Sequence, residues 1–466
     1  MMLWAQWWTW CAPLCAACKR RRTALWMCAT LMAFCVREDL AGVTSFVRAL
    51  GLTPECYDRL LDFFHSEALD LGRLTRLWAR LVVQRHPSPL RFNNRLVLVA
   101  DGLKTPKAGK KMPGVKRLHQ SSDSNTKPEY ILGHSCQAVG LLVRGLSSVA
   151  AIPLAARIHE GIVHTNRDKR TLLDKLLELI DALAIDSPCY LVADAFYASQ
   201  KVALPLLKRN NHLVTRVRHN SVGYELAPPP APGKRGRPRL YGERVPIKGL
   251  FGHADSSKRI DSPVYGETGV TLNVWTRDLL WRPLGMLVRF VAVEHPTRGR
   301  FLLMTTDLNL QARDVIEIYG YRFKIEVSFK SALRVVGAFG YQFWMRNMTP
   351  ITRKAGNQHL HRKPKKYRDE VMRKLRAYHR YIQLGLIAQG IMVALATTAP
   401  ELVWKYFGSW IRTKRINRIP SEAVVSTALR NTLPAFLADT SNTPDLTKFL
   451  QQRLDMEITQ GKRLAA

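Results

Sequence analysis

Acidic side chains are scarce in this sequence. Lys and Arg number 71 against 36 Asp and Glu, which gives a formal net charge of +35 over 466 residues. Self-repulsion of this size opposes a compact fold unless a polyanion offsets it. The shortage of acid therefore favours a nucleic acid partner, because each phosphate that a cation neutralises releases a counterion. RNA, an anionic membrane surface and a merely basic soluble protein stay open as alternatives at this point.

Long apolar runs and paired cysteine motifs are also lacking. The apolar stretch over residues 23–36 is too short to span a bilayer, so we predict no transmembrane helix and no membrane partner. Cys15 and Cys18 form a lone CxxC, and Cys28 and Cys35 are too far apart to complete a zinc knuckle. We therefore predict that the cysteines are reduced.

Hydrophobic spacing divides the chain into five predicted regions. They are a helical N-terminal region (1–90), a first core part of strands and helices (91–217), a β-rich insertion (218–300), a completion of the core with a helix and a basic loop (301–410), and a weakly ordered C-terminal tail (411–466). The N-terminal region is either a DNA-end binding module or a plain packing domain.

Two aspartates stand directly after short apolar runs. Residues 96–100 precede Asp101 and residues 190–193 precede Asp194, and such runs indicate strands that are buried on both faces. Ligand-binding residues gather at the carboxyl ends of strands. If the two strands are neighbours, the carboxylates can share a divalent cation such as Mg²⁺. Rival carboxylates in a loop, a turn and a predicted helix cap are Asp123, Asp186 and Asp307.

A third carboxylate is expected from a helix over residues 310–336. Tyr319, Arg322, Glu326 and Lys330 follow one another at intervals of three, four and four residues, which places them on one helical face. An adjacent stripe is predicted to be buried against the sheet: Ile316, Phe323 and Val327. The alternative for Glu326 is a pair of i,i+4 salt bridges on a solvated helix.

These motifs together resemble the bacterial insertion-sequence transposases of the DDE superfamily. The stretch from Asp101 to Lys116, the Val-Ala-Asp-Ala-Phe-Tyr around Asp194 and the Tyr-x2-Arg-x3-Glu ending at Glu326 are similar to their three signature regions. Many members carry a lysine seven positions after the glutamate. That position is Leu333 here, with Lys330 and Arg334 nearby, so the resemblance assigns the glutamate but not the lysine.

The resemblance implies an RNase H-like α/β fold, with a mixed sheet, helices and a β-rich insertion before the glutamate. It further implies that Asp101, Asp194 and Glu326 are the catalytic residues and hold two Mg²⁺ ions, with Mn²⁺ as a substitute. Water would cut the element's end, and the freed 3′-hydroxyl would attack target DNA. The side chains implied to contact DNA near this site are Lys104, Lys110, Lys111, Tyr319, Arg322 and Lys330.

The same resemblance implies double-stranded DNA as the partner, a homodimer on that DNA, and a cytoplasmic, nucleoid-associated location in a bacterium. Arg235, Arg237 and Arg239 form a basic turn similar to an AT-hook, with a solvated loop as the alternative. Trp275 and Trp281 are candidates for stacking on an unpaired base, with a place in the core as the alternative. The rival functions are a nuclease of the same fold without strand transfer and an inactive, transposase-derived DNA-binding protein.

Overall fold

The helices and strands form two groups along the chain. The computed structural model describes residues 3–120, 128–229, 239–252, 257–264, 266–408, 416–439 and 444–455. These residues form a mixed α/β protein with a large mixed sheet and many helices. One compact unit, here the helical unit, comprises Met1–Pro89, Gly102–Ile185 and Glu326–Ala466. The other, here the sheet unit, comprises Leu90–Asp101 and Asp186–Ile325.

The elements of the described residues are numbered in chain order. The strands are β1 (Arg91–Phe92), β2 (Arg95–Pro106), β3 (Lys116–His119), β4 (Tyr130–Arg144), β5 (Val149–Ile158), β6 (Ile162–Val163), β7 (Cys189–Ala193), β8 (His212–Arg216), β9 (Val222–Leu226), β10 (Tyr241–Pro246), β11 (Lys258–Asp261), β12 (Thr271–Trp281), β13 (Met286–His295), β14 (Gly299–Thr305) and β15 (Gln358–His359). The helices are α1 (Leu3–Cys11), α2 (Arg21–Val36), α3 (Thr44–Ala49), α4 (Cys56–His65), α5 (Leu71–Arg85), α6 (Leu172–Leu183), α7 (Gln200–Lys208), α8 (Ala312–Gly320), α9 (Lys324–Ser331), α10 (Lys365–Thr398), α11 (Pro400–Phe407), α12 (Glu422–Ala438) and α13 (Pro444–Gln451).

The sheet unit is built around three parallel strands. β7 pairs in parallel with β2 on one side and with β8 on the other. Antiparallel pairs continue outward from β8 through β14, β13, β12, β9 and β10. Every residue of β7 is buried, and so are residues 96–100 of β2, as the continuous apolar runs predict for strands covered on both faces. β2 does not end at Asp101 as predicted but runs on to Pro106.

Residues 218–300 are rich in β structure, as predicted, but they do not form a sheet apart from the core. They contain β9 to β13, and β13 pairs with β14, which pairs with β8. Glycine and proline in this stretch mark turns within one sheet, such as residues 282–285 between β12 and β13. The boundaries of the five predicted regions, and their separate roles, stay predictions.

In the helical unit, α10 is the central element. It packs against β5, α2, α4 and α12, and its apolar half is almost wholly buried. By length and composition α10 is apolar enough to cross a membrane, but 89% of its most apolar window is buried inside the protein. Burial of this kind is typical of a core helix. The helix begins at Lys365 among basic residues, and its apolar half follows them.

Residues 416–439 and 444–455, the described part of the C-terminal region, are better ordered than the sequence predicts. Beyond residue 414, α12 and α13 bury apolar residues in the helical unit. The Trp4 indole N–H donates a hydrogen bond to the Leu429 carbonyl (3.1 Å), and its ring stacks on Phe436. The prediction of a weakly ordered tail was wrong because its apolar partner, α1, lies at the opposite end of the sequence.

The predicted helix over residues 310–336 is broken into segments. A 3-10 turn at Tyr321–Phe323 separates α8 from α9, and a π-helical turn follows α9 and ends at Gly337. The turn changes which side chains point inward. Ile316 is buried as predicted, but Phe323 and Val327 are 36% and 49% exposed. The predicted buried stripe is therefore wrong at these two positions.

Candidate functional site

Asp101 and Asp194 occupy matching positions on neighbouring parallel strands. Val99 of β2 pairs with Val192 of β7, and each aspartate follows its paired valine by two residues. Neighbouring strands lie about 4.8 Å apart. The two carboxylates therefore leave the sheet unit at the same edge, as the apolar runs before them predicted.

Asp194 is fixed by the turn that follows β7. Its Oδ1 accepts a hydrogen bond from the backbone N–H of Phe196 (2.9 Å), which caps the 3-10 turn Ala195–Tyr197. Its carbonyl oxygen accepts a hydrogen bond from the Thr215 hydroxyl of β8 (2.8 Å). A capping aspartate of this kind keeps its second carboxylate oxygen for another contact.

Asp101 is paired with a cation of the sheet unit. Arg322 Nη1 donates to Asp101 Oδ2 at 3.0 Å, and both side chains are only 19% exposed. Arg322 lies in the 3-10 turn between α8 and α9. The resemblance implied that this arginine contacts DNA, whereas here it neutralises the first aspartate.

The other residues of the predicted helical face lie in different segments. Tyr319 is near the end of α8 and lines a cavity of the sheet unit with Val264 and Phe301. Glu326 and Lys330 are exposed on α9, in the helical unit. The 3-10 turn interrupts the single helix that was to align all four side chains. The assignment of Glu326 as the third ligand stays a prediction.

The predicted DNA-contacting lysines lie in the helical unit. Lys104 is exposed and donates to the His119 carbonyl, and Lys110 is exposed as well. Lys111 is half-buried and donates to the Arg346 carbonyl at 3.2 Å. In the basic turn, Arg239 is exposed, while Arg235 and Arg237 lie outside the described residues.

The rival carboxylates do not share the surroundings of Asp101 and Asp194. Asp307 is buried and accepts a hydrogen bond from the Tyr190 hydroxyl at 2.5 Å. It precedes the start of α8 by five residues, so it does not cap that helix as predicted. Asp186 is exposed ahead of β7, and Asp123 lies outside the described residues.

The donor chemistry of the paired aspartates fits a hard divalent cation, since carboxylate oxygens are the ligands that Mg²⁺ prefers. Within the described ranges, no group of three or more His, Cys, Asp or Glu side chains is placed to hold a metal ion. One oxygen of Asp101 is already in contact with the Arg322 guanidinium at 3.0 Å. Metal binding at Asp101 Oδ2 therefore requires this ion pair to open.

The tryptophans predicted as stacking candidates belong to the core. Trp275 and Trp281 are 5% and 6% exposed in the strand β12, which supports the core alternative. Sequence reasoning missed Trp344, whose side chain is 63% exposed in the helical unit. The sequence Tyr-Gln-Phe-Trp-Met carries no sign of this exposure, which the alternation of inward and outward side chains reveals.

Comparison with known proteins gives one informative match. No curated protein matches the chain. The NurA nuclease from Sulfolobus solfataricus is similar at 9% identity, over 61% of this chain and 94% of that chain, with a TM-score of 0.24, too low to argue a shared fold. The model of the DDE superfamily endonucleases matches residues 13–280, which include Asp101 and Asp194 but end before Glu326. Because that match covers more than half of the 466 residues, the chain belongs to the DDE superfamily endonuclease family.

Proposed function

We propose that this protein is a DNA transposase of the insertion-sequence type, which cleaves the ends of its element and joins them to target DNA. The observation that carries the proposal is the parallel register of β2 and β7, in which Asp101 and Asp194 each follow the paired residues Val99 and Val192 by two positions. Family membership supports a metal-dependent nuclease acting on nucleic acid. Transposition goes further and rests on the Tyr-x2-Arg-x3-Glu motif that ends at Glu326.

The proposed metal ligands are Asp101, Asp194 and Glu326. Two Mg²⁺ ions, or Mn²⁺ in their place, would activate water and stabilise charge on the attacking and leaving oxygens of the phosphodiester. The protein's own part is to hold two carboxylates rigidly. Asp194 is held by its cap to Phe196 and its link to Thr215, and Asp101 by the buried strand before it. Rigid placement lowers the reorganisation needed during reaction.

Arg322 has two partners available in this proposal. In the structure it neutralises Asp101. With a cation bound at Asp101 instead, the guanidinium would turn to a DNA phosphate, for which its planar fork is well suited. Lys330, one helical turn after Glu326 on α9, is proposed to contact the DNA backbone as well.

An RNase H-like core is part of the proposal. Apart from the short strands β3 and β6, three strands (β2, β4 and β5), then α6, β7, α7 and β8 follow in the chain order expected of that core. In the sheet unit β2 pairs with β7, and in the helical unit β4 pairs with β5. A homodimer on double-stranded DNA is proposed because two element ends must be joined, and a nucleoid-associated, cytoplasmic location because DNA is the substrate.

Asp194→Asn is the first test. We expect cleavage to fall by more than about 100-fold, because a metal site contributes several kcal/mol to the transition state and each 1.4 kcal/mol is tenfold in rate. The asparagine oxygen still caps Phe196, so the fold should survive. The matched control is Asp186→Asn, an exposed carboxylate of the same unit. Nicking of supercoiled plasmid in Mg²⁺ or Mn²⁺ measures cleavage, and gel shift measures binding.

Strand transfer is tested separately, with labelled DNA from the flanks of the gene as the cut end and a plasmid as the target. Joined products that both Asp194→Asn and Glu326→Gln abolish support a transposase. Metal-dependent nicking without joined products indicates the simpler nuclease. DNA binding without nicking in either metal indicates the inactive, DNA-binding protein.

A further inference from the structure

The exposed Trp344 has no role in the site described above. An indole that is 63% exposed leaves a large apolar face in water, at a cost of about 25 cal/mol for each Å². Trp4, Trp7 and Trp78, by contrast, are fully buried in the same helical unit. An exposed aromatic that is held in a defined place is therefore a candidate contact for a ligand with a flat ring.

Alternation along the segment from 341 to 346 holds Trp344 outward. Tyr341, Phe343 and Met345 are buried, whereas Gln342, Trp344 and Arg346 are exposed. The buried side chains are anchored: the Tyr341 ring stacks on Tyr378, and the Tyr378 hydroxyl donates to the Phe343 carbonyl at 2.6 Å. The outward direction of the indole is thus a result of core packing on the other side of the segment.

A second segment, residues 109–111, supports the indole from one side. The Met345 N–H donates to the Lys111 carbonyl (2.9 Å), and the Ile351 N–H donates to the Lys110 carbonyl (2.8 Å). The indole Nε1 lies beside Gly109, where an added Cβ would come within 2.9 Å of it. Glycine at this position leaves room for the tryptophan ring.

The side chains around this ring are cationic. Lys110 is exposed, Lys111 donates to the Arg346 carbonyl, and Arg346 itself is exposed two residues after Trp344. The loop continues through exposed Arg353 and Lys354, and the Ala355 carbonyl accepts a hydrogen bond from the Arg117 N–H (2.8 Å). Charge of this sign complements a phosphate backbone, and an aromatic face among such cations is the usual platform for an unpaired base.

We propose that Trp344 stacks on an unpaired base of the DNA substrate, while Lys110, Lys111 and Arg346 neutralise the adjoining phosphates. The occupant is a single-stranded or frayed DNA end, because a base inside a duplex does not offer its face to a side chain. The inference deepens the proposed function by naming the DNA form that the protein holds, and it rests on that function only for the identity of DNA as substrate.

The test compares Trp344→Ala with Trp344→Phe and with Gln342→Ala, an exposed, uncharged neighbour on the same segment. Binding is measured by anisotropy without divalent metal, on a blunt duplex, a duplex with a three-nucleotide 3′ overhang, and the same overhang made of abasic residues. Stacking contributes about 1–3 kcal/mol per base, so Trp344→Ala should weaken overhang binding by about 5- to 150-fold. Trp344→Phe should retain most of the affinity, and Gln342→Ala all of it.

The blunt and abasic duplexes should bind wild type and Trp344→Ala alike, since neither offers a base to the ring. The emission of Trp344 is obtained by subtracting the fluorescence of Trp344→Phe from that of the wild type. Quenching of this emission by the normal overhang, but not by the blunt or abasic duplex, would add direct support. Equal affinity of wild type and Trp344→Ala for the normal overhang would overturn the proposal. Because metal is absent, a failure to cleave DNA leaves this result unaffected, so the two proposals fail independently.

Discussion

At the scale of single residues, the buried amine of Lys107 stands out. Its Nζ donates to the carbonyls of Phe339 and Tyr341 and lies 3.6 Å from the centroid of the Tyr341 ring. Burial lowers the pKa of Lys107 to about 7, and the nearby Cys136 opposes the shift. The amine joins the segment before Trp344 to residues 104–111, the stretch that contains the predicted DNA-contacting lysines Lys104, Lys110 and Lys111.

The lowered pKa of Lys107 makes stability depend on pH. Between about pH 7 and pH 10 the unfolded chain binds a proton at this lysine that the folded protein does not, so stability should rise with pH. Below about pH 7 both states are protonated, and this contribution stays constant. We expect the midpoint of urea unfolding to increase from pH 7 to pH 8 in the wild type. This range lies below the ordinary pKa of a thiol, so the buried cysteines with a raised pKa, such as Cys11 and Cys136, oppose the rise only weakly.

The variant Lys107→Met should show a flatter profile over the same range, because it lacks the titrating group. The matched control is Lys104→Met, which removes an exposed amine three residues earlier and should keep the wild-type rise. Parallel profiles for the wild type and Lys107→Met would show that another group is responsible. If Lys107→Met does not fold, the slope of the wild-type profile alone still tests the direction.

A site residue can be predicted from the sequence when the pattern that marks it lies close to it along the chain. Asp101 and Asp194 were predictable because each follows an apolar run whose burial needs no distant information. The pairing of Arg322 with Asp101 was not, because it joins residues 221 positions apart through a turn that breaks the helix. Trp344 was missed because its outward direction depends on packing by Tyr378, a residue of another element.

At the scale of elements, the break between α8 and α9 has the largest effect on the predicted site. A continuous helix would have placed Phe323 and Val327 on the stripe that Ile316 begins. The 3-10 turn winds more tightly than the α-helix, with three residues per turn. The side chains of α9 therefore have other angular positions about the helix axis than a continuous helix would give them. Ile325, Ser328 and Ala332 are buried in place of the predicted residues. Helix periodicity does not reveal such a turn, although Gly320, which directly precedes it, is a poor helix former.

The helix α12 allows a direct test of order in the C-terminal region. Leu429 is fully buried and next to Trp4, so Leu429→Ala should lower the free energy of unfolding by about 2–5 kcal/mol. Leu437→Ala is the matched control, the same change at a half-buried position of the same helix, and should have a smaller effect. Calorimetry of both variants decides the matter. Two unchanged unfolding midpoints would mean that α12 does not contribute to the core.

At the scale of the whole molecule, the net charge of +35 dominates any interaction with DNA. The predicted basic turn is one named contributor, and the double variant Arg237→Ala with Arg239→Ala tests it. We expect weaker binding to all sequences and a plot of log affinity against log salt that is shallower by about one unit per lost phosphate contact. Arg239 is exposed, so its substitution should change stability little.

The double variant Arg244→Ala with Arg259→Ala removes the same charge from exposed strand positions of the sheet unit. If the basic turn makes specific phosphate contacts, only the turn variant should change the salt slope by the full amount. Equal changes in both variants would show that overall charge, and not the turn, determines the affinity.

The packing of α1 against α12 also affects the order in which the two units can fold during synthesis. The hydrogen bond from Trp4 to Leu429 joins residues 425 positions apart, and the sheet unit lies entirely between them in the chain. Domains generally fold as units during synthesis, at about 5–20 residues per second. The sheet unit, with its paired aspartates, is complete once Ile325 has left the ribosome. The helical unit must wait for α12, so its tryptophan-rich first helix stays without its final partner through most of translation.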